Sequence, residues 1–201
     1  MVDRQLRRRG IEDERVLAAM GELPRELFLP EGARGQAYRD GAVRISAGQT
    51  MSQPWIVACM TALLELKGEE LVLEVGTGSG YGAAVLSRCC RAVVTIERHA
   101  ALAELARAAL VETGCDNVEV RVGDGCAGAP DRAPFDGISV TAASDEGPPP
   151  ALVEQLRPGA ALVCPVRRGG DEQLMRFRDG AEEAVVPVRF VPLVPDEPDA
   201  E

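Results

Sequence analysis

The chain has 201 residues, 46% of them hydrophobic, which suffices for one substantial core and argues for a single domain. Its formal net charge of −10 repels phosphate backbones and speaks against general nucleic-acid binding. No apolar run approaches a membrane span, and the N-terminus is charged from residue 3, so a soluble, cytoplasmic chain without a signal segment is expected.

In chain order, the first 70 residues lack a β-α repeat. Arg7, Arg8 and Arg9 are offset by Glu12, Asp13 and Glu14 and read as a solvated helix face. Helices are expected over 12–20 and 24–28, a loop over 30–53, and a helix over 54–66 with Pro54 in its first turn. Together they form an N-terminal helical cap, residues 1–70, packed on the sheet and contributing to the site.

From residue 71 strand-like and helical patterns alternate. The nearly continuous apolar runs 71–75, 92–96, 136–142 and 161–166 suit parallel strands buried on both faces. The run 118–122 alternates strictly, which suits an edge strand. Helices are expected over 81–90 and over 100–113, the second with Leu102, Leu105, Ala106 and Leu110 on one face and Gly114 at its end. Segments 172–178 and 184–193 suit an antiparallel pair, with Pro187 and Pro192 marking edges or bulges. The acidic, Pro-rich tail 195–201 reads as disordered. The whole predicts one domain over 1–194, its core over 71–194 being a doubly wound, mostly parallel α/β sheet with ligands at the carboxyl ends of its strands.

Scarcity narrows the chemistry. Six cysteines form no CxxC pair and no zinc spacing, so reduced, mostly buried thiols are expected, and no metal. The single histidine, His99, follows a strand end and opens a helix; the single lysine, Lys67, lies in a turn. A triad hydrolase or a Schiff-base enzyme would need these residues in other settings, so chemistry without a general base is favoured.

The strand ending near Glu74 runs into GTGSG, residues 76–80, and then a helix. Glycines there let the backbone turn tightly and approach a ligand. The dinucleotide fingerprint is out of register: with Gly76 and Gly78 it needs glycine at 81, where Tyr81 stands. The shifted match from Gly78 to Ala83 begins too far beyond the strand. Glu97 ends the second strand, placed to accept both ribose hydroxyl protons, and Asp124, in the GDG turn with Gly125, is placed to meet an adenine amino group. Plainer roles stand beside these: Glu97 paired with Arg98 or solvent, Asp124 closing a surface turn. Their order and spacing favour the ligand.

This set resembles the cofactor site of the Rossmann-like S-adenosylmethionine-dependent methyltransferases. The resemblance implies S-adenosyl-L-methionine as cofactor, held by Glu74, Gly76, Gly78, Gly80, Glu97, Arg98, Asp124 and Gly125. A second motif, GQTMSQP (48–54), joins VLEVGTGSGY (72–81), VTAA (140–143), ALVEQLRPG (151–159) and VRFVPL (188–193). With these the chain resembles the protein-L-isoaspartate O-methyltransferases over nearly its whole length.

That resemblance implies methyl esterification of the free α-carboxylate of L-isoaspartyl residues in damaged proteins and peptides. The ester closes to a succinimide, whose hydrolysis returns part of the chain to normal aspartate. It further implies that Ser52 is the active-site serine, that Thr50 and Met51 lie near cofactor and acceptor, and that Thr141 and Ala142 help hold the acceptor. An ionised carboxylate attacking a sulfonium methyl needs alignment and desolvation rather than a base. A serine hydroxyl orients it by one hydrogen bond, and backbone amides of 141–143 or 188–193 are expected to share that role. The plain reading of Ser52 is a cap before the Pro54 helix, and the two roles are compatible.

Departures from the family pattern are Ser46-Ala47, where Ile-Gly is common, and the 144–150 loop with its three prolines, which bears on acceptor choice. Cys126 near the adenine turn reads as packing or as an oxidation-sensitive thiol, and Trp55 and Tyr81 as pocket wall or core. The alternatives are a carboxyl methyltransferase for another acceptor, such as a small acid or a specific peptide aspartate, and a non-catalytic S-adenosylmethionine-binding protein.

Overall fold

The computed structural model describes residues 1–195, so all but the first residue of the expected tail lies outside them. Helix α1 (Glu14–Glu22) starts where the Asp13 carboxylate accepts the N–H groups of Arg15 and Val16, and it buries Val16, Leu17, Ala19 and Met20. The expected helix over 24–28 is a single 3-10 turn, Arg25–Phe28, entered from Pro24. The stretch expected as loop holds another 3-10 turn (Glu31–Gln36) and a two-stranded antiparallel ladder of β1 (Val43–Arg44) and β2 (Thr50–Met51). Helix α2 (Pro54–Leu63) has its proline in the first turn and stops three residues short of expectation; beyond it Glu65 takes φ 56°. Arg7 pairs with Glu14, and Arg9 pairs with Asp40 while stacking on Trp55, so two arginines of the exposed basic run are paired with acids.

The core alternates β3 (Leu71–Val75), α3 (Tyr81–Cys89), β4 (Ala92–Glu97), α4 (Ala100–Glu112) and β5 (Val118–Val122), followed by β6 (Phe135–Val140). After β7 (Ser144–Asp145) and α5 (Pro150–Glu154) come β8 (Leu156–Arg168), β9 (Asp171–Arg178) and β10 (Ala181–Pro187). The strand order is β10-β9-β8-β6-β3-β4-β5, with β7 on β8. The strands β5, β4, β3, β6 and β8 are parallel, whereas β9 and β10 return antiparallel. The chain first builds outward from β3 through β4 to β5, then resumes at β6 on the opposite side of β3. That reversal opens a crevice at the carboxyl ends of β3 and β6.

Period-two alternation splits the apolar residues between the two faces of the sheet. Val72 and Val93 join one cluster with Leu6, Met20, Phe28 and Leu86, so the N-terminal segment packs on the α3 face. Leu73, Val75, Val94 and Ile138 join the other with Leu152. The strand 118–122 is the edge, as its alternation predicts.

Three details differ from expectation. On α4, Leu102, Ala106 and Leu110 are buried but Leu105 is 57% exposed, because the buried face also takes Ala103 and centres about 100° of helical rotation away from it. Strand β8 starts at Leu156, ahead of its apolar run. Strand β10 ends at Pro187, and the chain beyond it crosses to the end of β6. There Ala143 donates to the Val191 carbonyl at 2.8 Å and Leu193 donates to the Ala143 carbonyl at 2.7 Å. No described helix is long and apolar enough to cross a membrane.

Candidate active site

The glycine loop leaves β3 and wraps over its end. Gly76 has φ 93° and donates to the Ile96 carbonyl at 2.8 Å; a Cβ there would lie 2.3 Å from Thr141 Oγ1. Gly80, with φ 88°, caps α3, and a Cβ there would meet Ala106 at 3.1 Å. Only glycine satisfies both the left-handed backbone and the close approach.

Beside the loop lies a cavity of about 390 Å³, walled by Gly76, Gly78, Glu97, Arg98, Gly125 and the segment 191–194, among others. Glu97 is buried, and both its oxygens face backbone donors: Oε2 accepts Gly78 N–H at 2.8 Å and Oε1 accepts His99 N–H at 3.0 Å. Each carboxylate oxygen keeps a further lone pair for a ligand hydroxyl. Arg98 reaches across the mouth to the Val194 carbonyl at 3.4 Å.

Glu74 is buried beneath the loop. It accepts from Thr95 Oγ1 at 2.7 Å, and Thr95 shares a 2.7 Å hydrogen bond with Thr77. Burial, opposed by the Thr95 hydrogen bond and reinforced by the charge of Glu97, pushes its carboxyl up to about 8. Glu74 is therefore held as a neutral acid near pH 7.

Two expected contacts are not on the wall. Gly80 faces α4 rather than the cavity, because its role is the tight packing against Ala106. Asp124 Oδ1 accepts Cys126 N–H at 2.8 Å and closes the turn, and its neighbour Gly125 lines the wall. A Cβ on Gly125 would stand 2.4 Å from Val75, so that turn is pressed against the end of β3.

A second cavity, about 460 Å³, lies against the first and is walled by Arg9, Gln53, Trp55, Ile56 and residues 186–191. Thr50, Ser52, Thr141 and Val191 wall both cavities. Met51 and Ala142 line the first only. Trp55 belongs to the second wall, while Tyr81 is core as well as wall, packed edge-on to Phe28 with ring centroids 5.4 Å apart.

The cap of α2 is Gln53, without a side-chain hydrogen bond, so Ser52 does not serve as the helix cap. Thr141 Oγ1 is committed to the Gly76 carbonyl at 2.7 Å. Among the amides expected to assist, Thr141, Ala143, Val188, Phe190 and Leu193 already have protein acceptors, which leaves Ala142, Arg189 and Val191 at the cavity walls.

Arg25 escaped the sequence reading. Its guanidinium is 0% exposed, and burial lowers its pKa. It donates to the Ala37 carbonyl at 2.7 Å and to the Ser52 carbonyl, and lies over the Tyr81 ring. A charged residue after a proline in a surface-like stretch carries no period that would announce burial. All six cysteines are unbridged, five of them buried, with Cys126 half-buried.

Comparison with known proteins gives one answer. The family model described as protein-L-isoaspartate(D-aspartate) O-methyltransferase matches residues 1–198. The chain is 49% identical to the protein-L-isoaspartate O-methyltransferase of Rhodopseudomonas palustris, covering 97% of this chain and 92% of that protein. It is 52% identical to that of Methanoregula boonei, over 96% and 91%. A solved protein-L-isoaspartate O-methyltransferase superposes with TM-score 0.81 at 29% identity, covering 92% of this chain, which spans 62% of that chain's length. A putative Plasmodium falciparum protein-L-isoaspartate O-methyltransferase, solved with S-adenosyl-L-homocysteine, shares the fold with TM-score 0.80 at 23% identity, over 94% of each chain. The chain belongs to the protein-L-isoaspartate(D-aspartate) O-methyltransferase family.

Proposed function

We propose that this chain transfers the methyl group of S-adenosyl-L-methionine to the free α-carboxylate of L-isoaspartyl residues in damaged proteins and peptides, opening their repair through a succinimide. One observation carries the residue assignment: Thr50, Ser52 and Thr141 stand at the seam of two adjoining cavities. A donor in one and an acceptor in the other react across that seam.

The first cavity suits the cofactor by its donor set. Glu97 takes the ribose hydroxyls, Gly76 and Gly78 bring the loop backbone close, and Gly125 with Arg98 and Met51 completes the wall. Glu74 lies on the floor of the cavity, its carboxyl held by Thr95 and packed against Gly82 at the start of α3. When bound, the cofactor supplies a methyl on a sulfonium cation. Ser52 donates its hydroxyl to the acceptor carboxylate and fixes its direction; the Val191 amide is a further donor at that seam, and the Ala142 amide stands on the wall of the first cavity. The wall of residues 191–194 sheds water from the pair, which strengthens the attraction between carboxylate and cation. No proton moves in the transfer, which agrees with a site containing His99 only as the helix cap.

Cytoplasmic residence belongs to the same proposal and draws support from the unbridged thiols. The test is transfer of labelled methyl to an isoaspartyl peptide and to its aspartyl twin. Strong preference for the first is expected, and equal acceptance of both sinks the repair reading in favour of a broader carboxyl methyltransferase.

A further inference from the structure

Arg25 walls neither cavity, yet three parts of the fold meet on its guanidinium. Nε donates to the Ala37 carbonyl, Nη2 donates to the Ser52 carbonyl, and Cζ sits 4.5 Å from the centroid of Tyr81. Ser52 lies between β2 and α2, in neither, and Tyr81 opens α3 directly after the glycine loop. Among the described residues Arg25 has no ion-pair partner, and apart from the two carbonyls its polar neighbour is the Tyr81 hydroxyl. Burying a guanidinium without a carboxylate is costly, and an apolar side chain of similar volume would serve packing better. What an apolar side chain cannot do is grip two carbonyls with one rigid planar fork.

We propose that Arg25 is a positioning residue for methyl transfer: its fork fixes the backbone at Ser52 relative to Ala37 and to the start of α3, and so holds the Ser52 hydroxyl at the seam between donor and acceptor. The proposal rests on the role given to Ser52 above. It separates Arg25 from the other buried residues of the cap, because its effect runs through one backbone carbonyl.

The test uses Arg25→Lys, Arg25→Met, Ser52→Ala and the double variant Arg25→Lys/Ser52→Ala, assayed with a synthetic isoaspartyl peptide. Arg25→Lys keeps a cation but not the fork; Arg25→Met keeps volume but no donor. Both are expected to lower kcat by up to roughly 100-fold, the scale on which a misplacement of about 1 Å acts. S-adenosyl-L-homocysteine affinity, read by calorimetry, is expected to stay within about twofold, and amide exchange to quicken around residues 51–53 while β3 and α3 keep their protection. Because Arg25 works through Ser52, the double variant is expected to lie within about twofold of Ser52→Ala alone. Additive losses would overturn the proposal, as would wild-type kcat in Arg25→Met. So would a general loss of exchange protection with matching losses of kcat and ligand affinity, since that marks a residue of the fold alone. If Ser52→Ala itself turns over like wild type, the failure belongs to the Ser52 assignment, and the proposal built on it falls with it.

Discussion

Glu97→Gln isolates the charge of the candidate ribose acid while keeping its shape. In the native site Oε2 and Oε1 accept from Gly78 and His99 at 2.8 and 3.0 Å, so both oxygens act as acceptors. A glutamine offers one oxygen and one NH2 group, which forces a donor against one of the two backbone donors. Each hydrogen bond to the charge contributes about 1.5–3 kcal/mol. Losing one within the protein lowers the melting temperature by roughly 3–12 °C for a chain of this size. Losing one to a ribose hydroxyl raises the Kd for S-adenosyl-L-homocysteine by roughly 10- to 150-fold. Calorimetric titration of the variant, with a thermal melt in the absence of ligand, reads the two effects separately. A Kd within about twofold of wild type would refute the ribose assignment. An unchanged melt would refute the reading of Glu97 as the anchor of the glycine loop.

Three further outcomes are expected. Ser52→Ala should lower turnover on an isoaspartyl peptide by roughly 10- to 150-fold, the range of one hydrogen bond to a charge, with cofactor-product affinity kept; wild-type turnover defeats the assignment. Glu74 holds a proton in the native state up to about pH 8 that the unfolded chain releases near 4.5, so this group lowers stability as pH rises through that window. Glu74→Gln should therefore flatten the melting temperature between those limits and gain most over wild type near pH 8; superposing profiles would show that Glu74 does not titrate there. Gly76→Ala strains φ 93° and drives a Cβ to 2.3 Å from Thr141 Oγ1, so a loss of about 1–3 kcal/mol in stability is expected by denaturant titration, and an unperturbed midpoint would mean the loop yields without strain.

Hydropathy pattern made most of the core legible. Continuous apolar runs at 71–75 and 92–96 and the strict alternation at 118–122 carry their position in the sheet in the chain itself, since a strand buried on two faces and an edge strand differ in every second residue. The same reasoning failed at Leu105, where one more residue of helical phase decided exposure, and after Pro187, where an apolar run left the sheet to cover the crevice. That Asp124 Oδ1 also closes its own turn onto Cys126 N–H came from the fold, because spacing places a carboxylate near a site without saying which N–H it meets first.

The sequence by itself determined the class of fold, the glycine loop with Glu97 at the next strand end, and the separate segment around Ser52. The first two are local signals, a period, a glycine whose φ only glycine tolerates and an acid one helix and one strand further on, whereas the Ser52 segment stood out through its family resemblance. The tertiary structure alone decided that Thr50, Ser52 and Thr141 form one seam between two cavities, that residues 191–194 close the first of them, and that a buried Arg25 holds Ser52 by its carbonyl. These contacts join residues 27 to about 140 positions apart in the chain, and their geometry comes from packing the cap on the sheet, which no local pattern encodes.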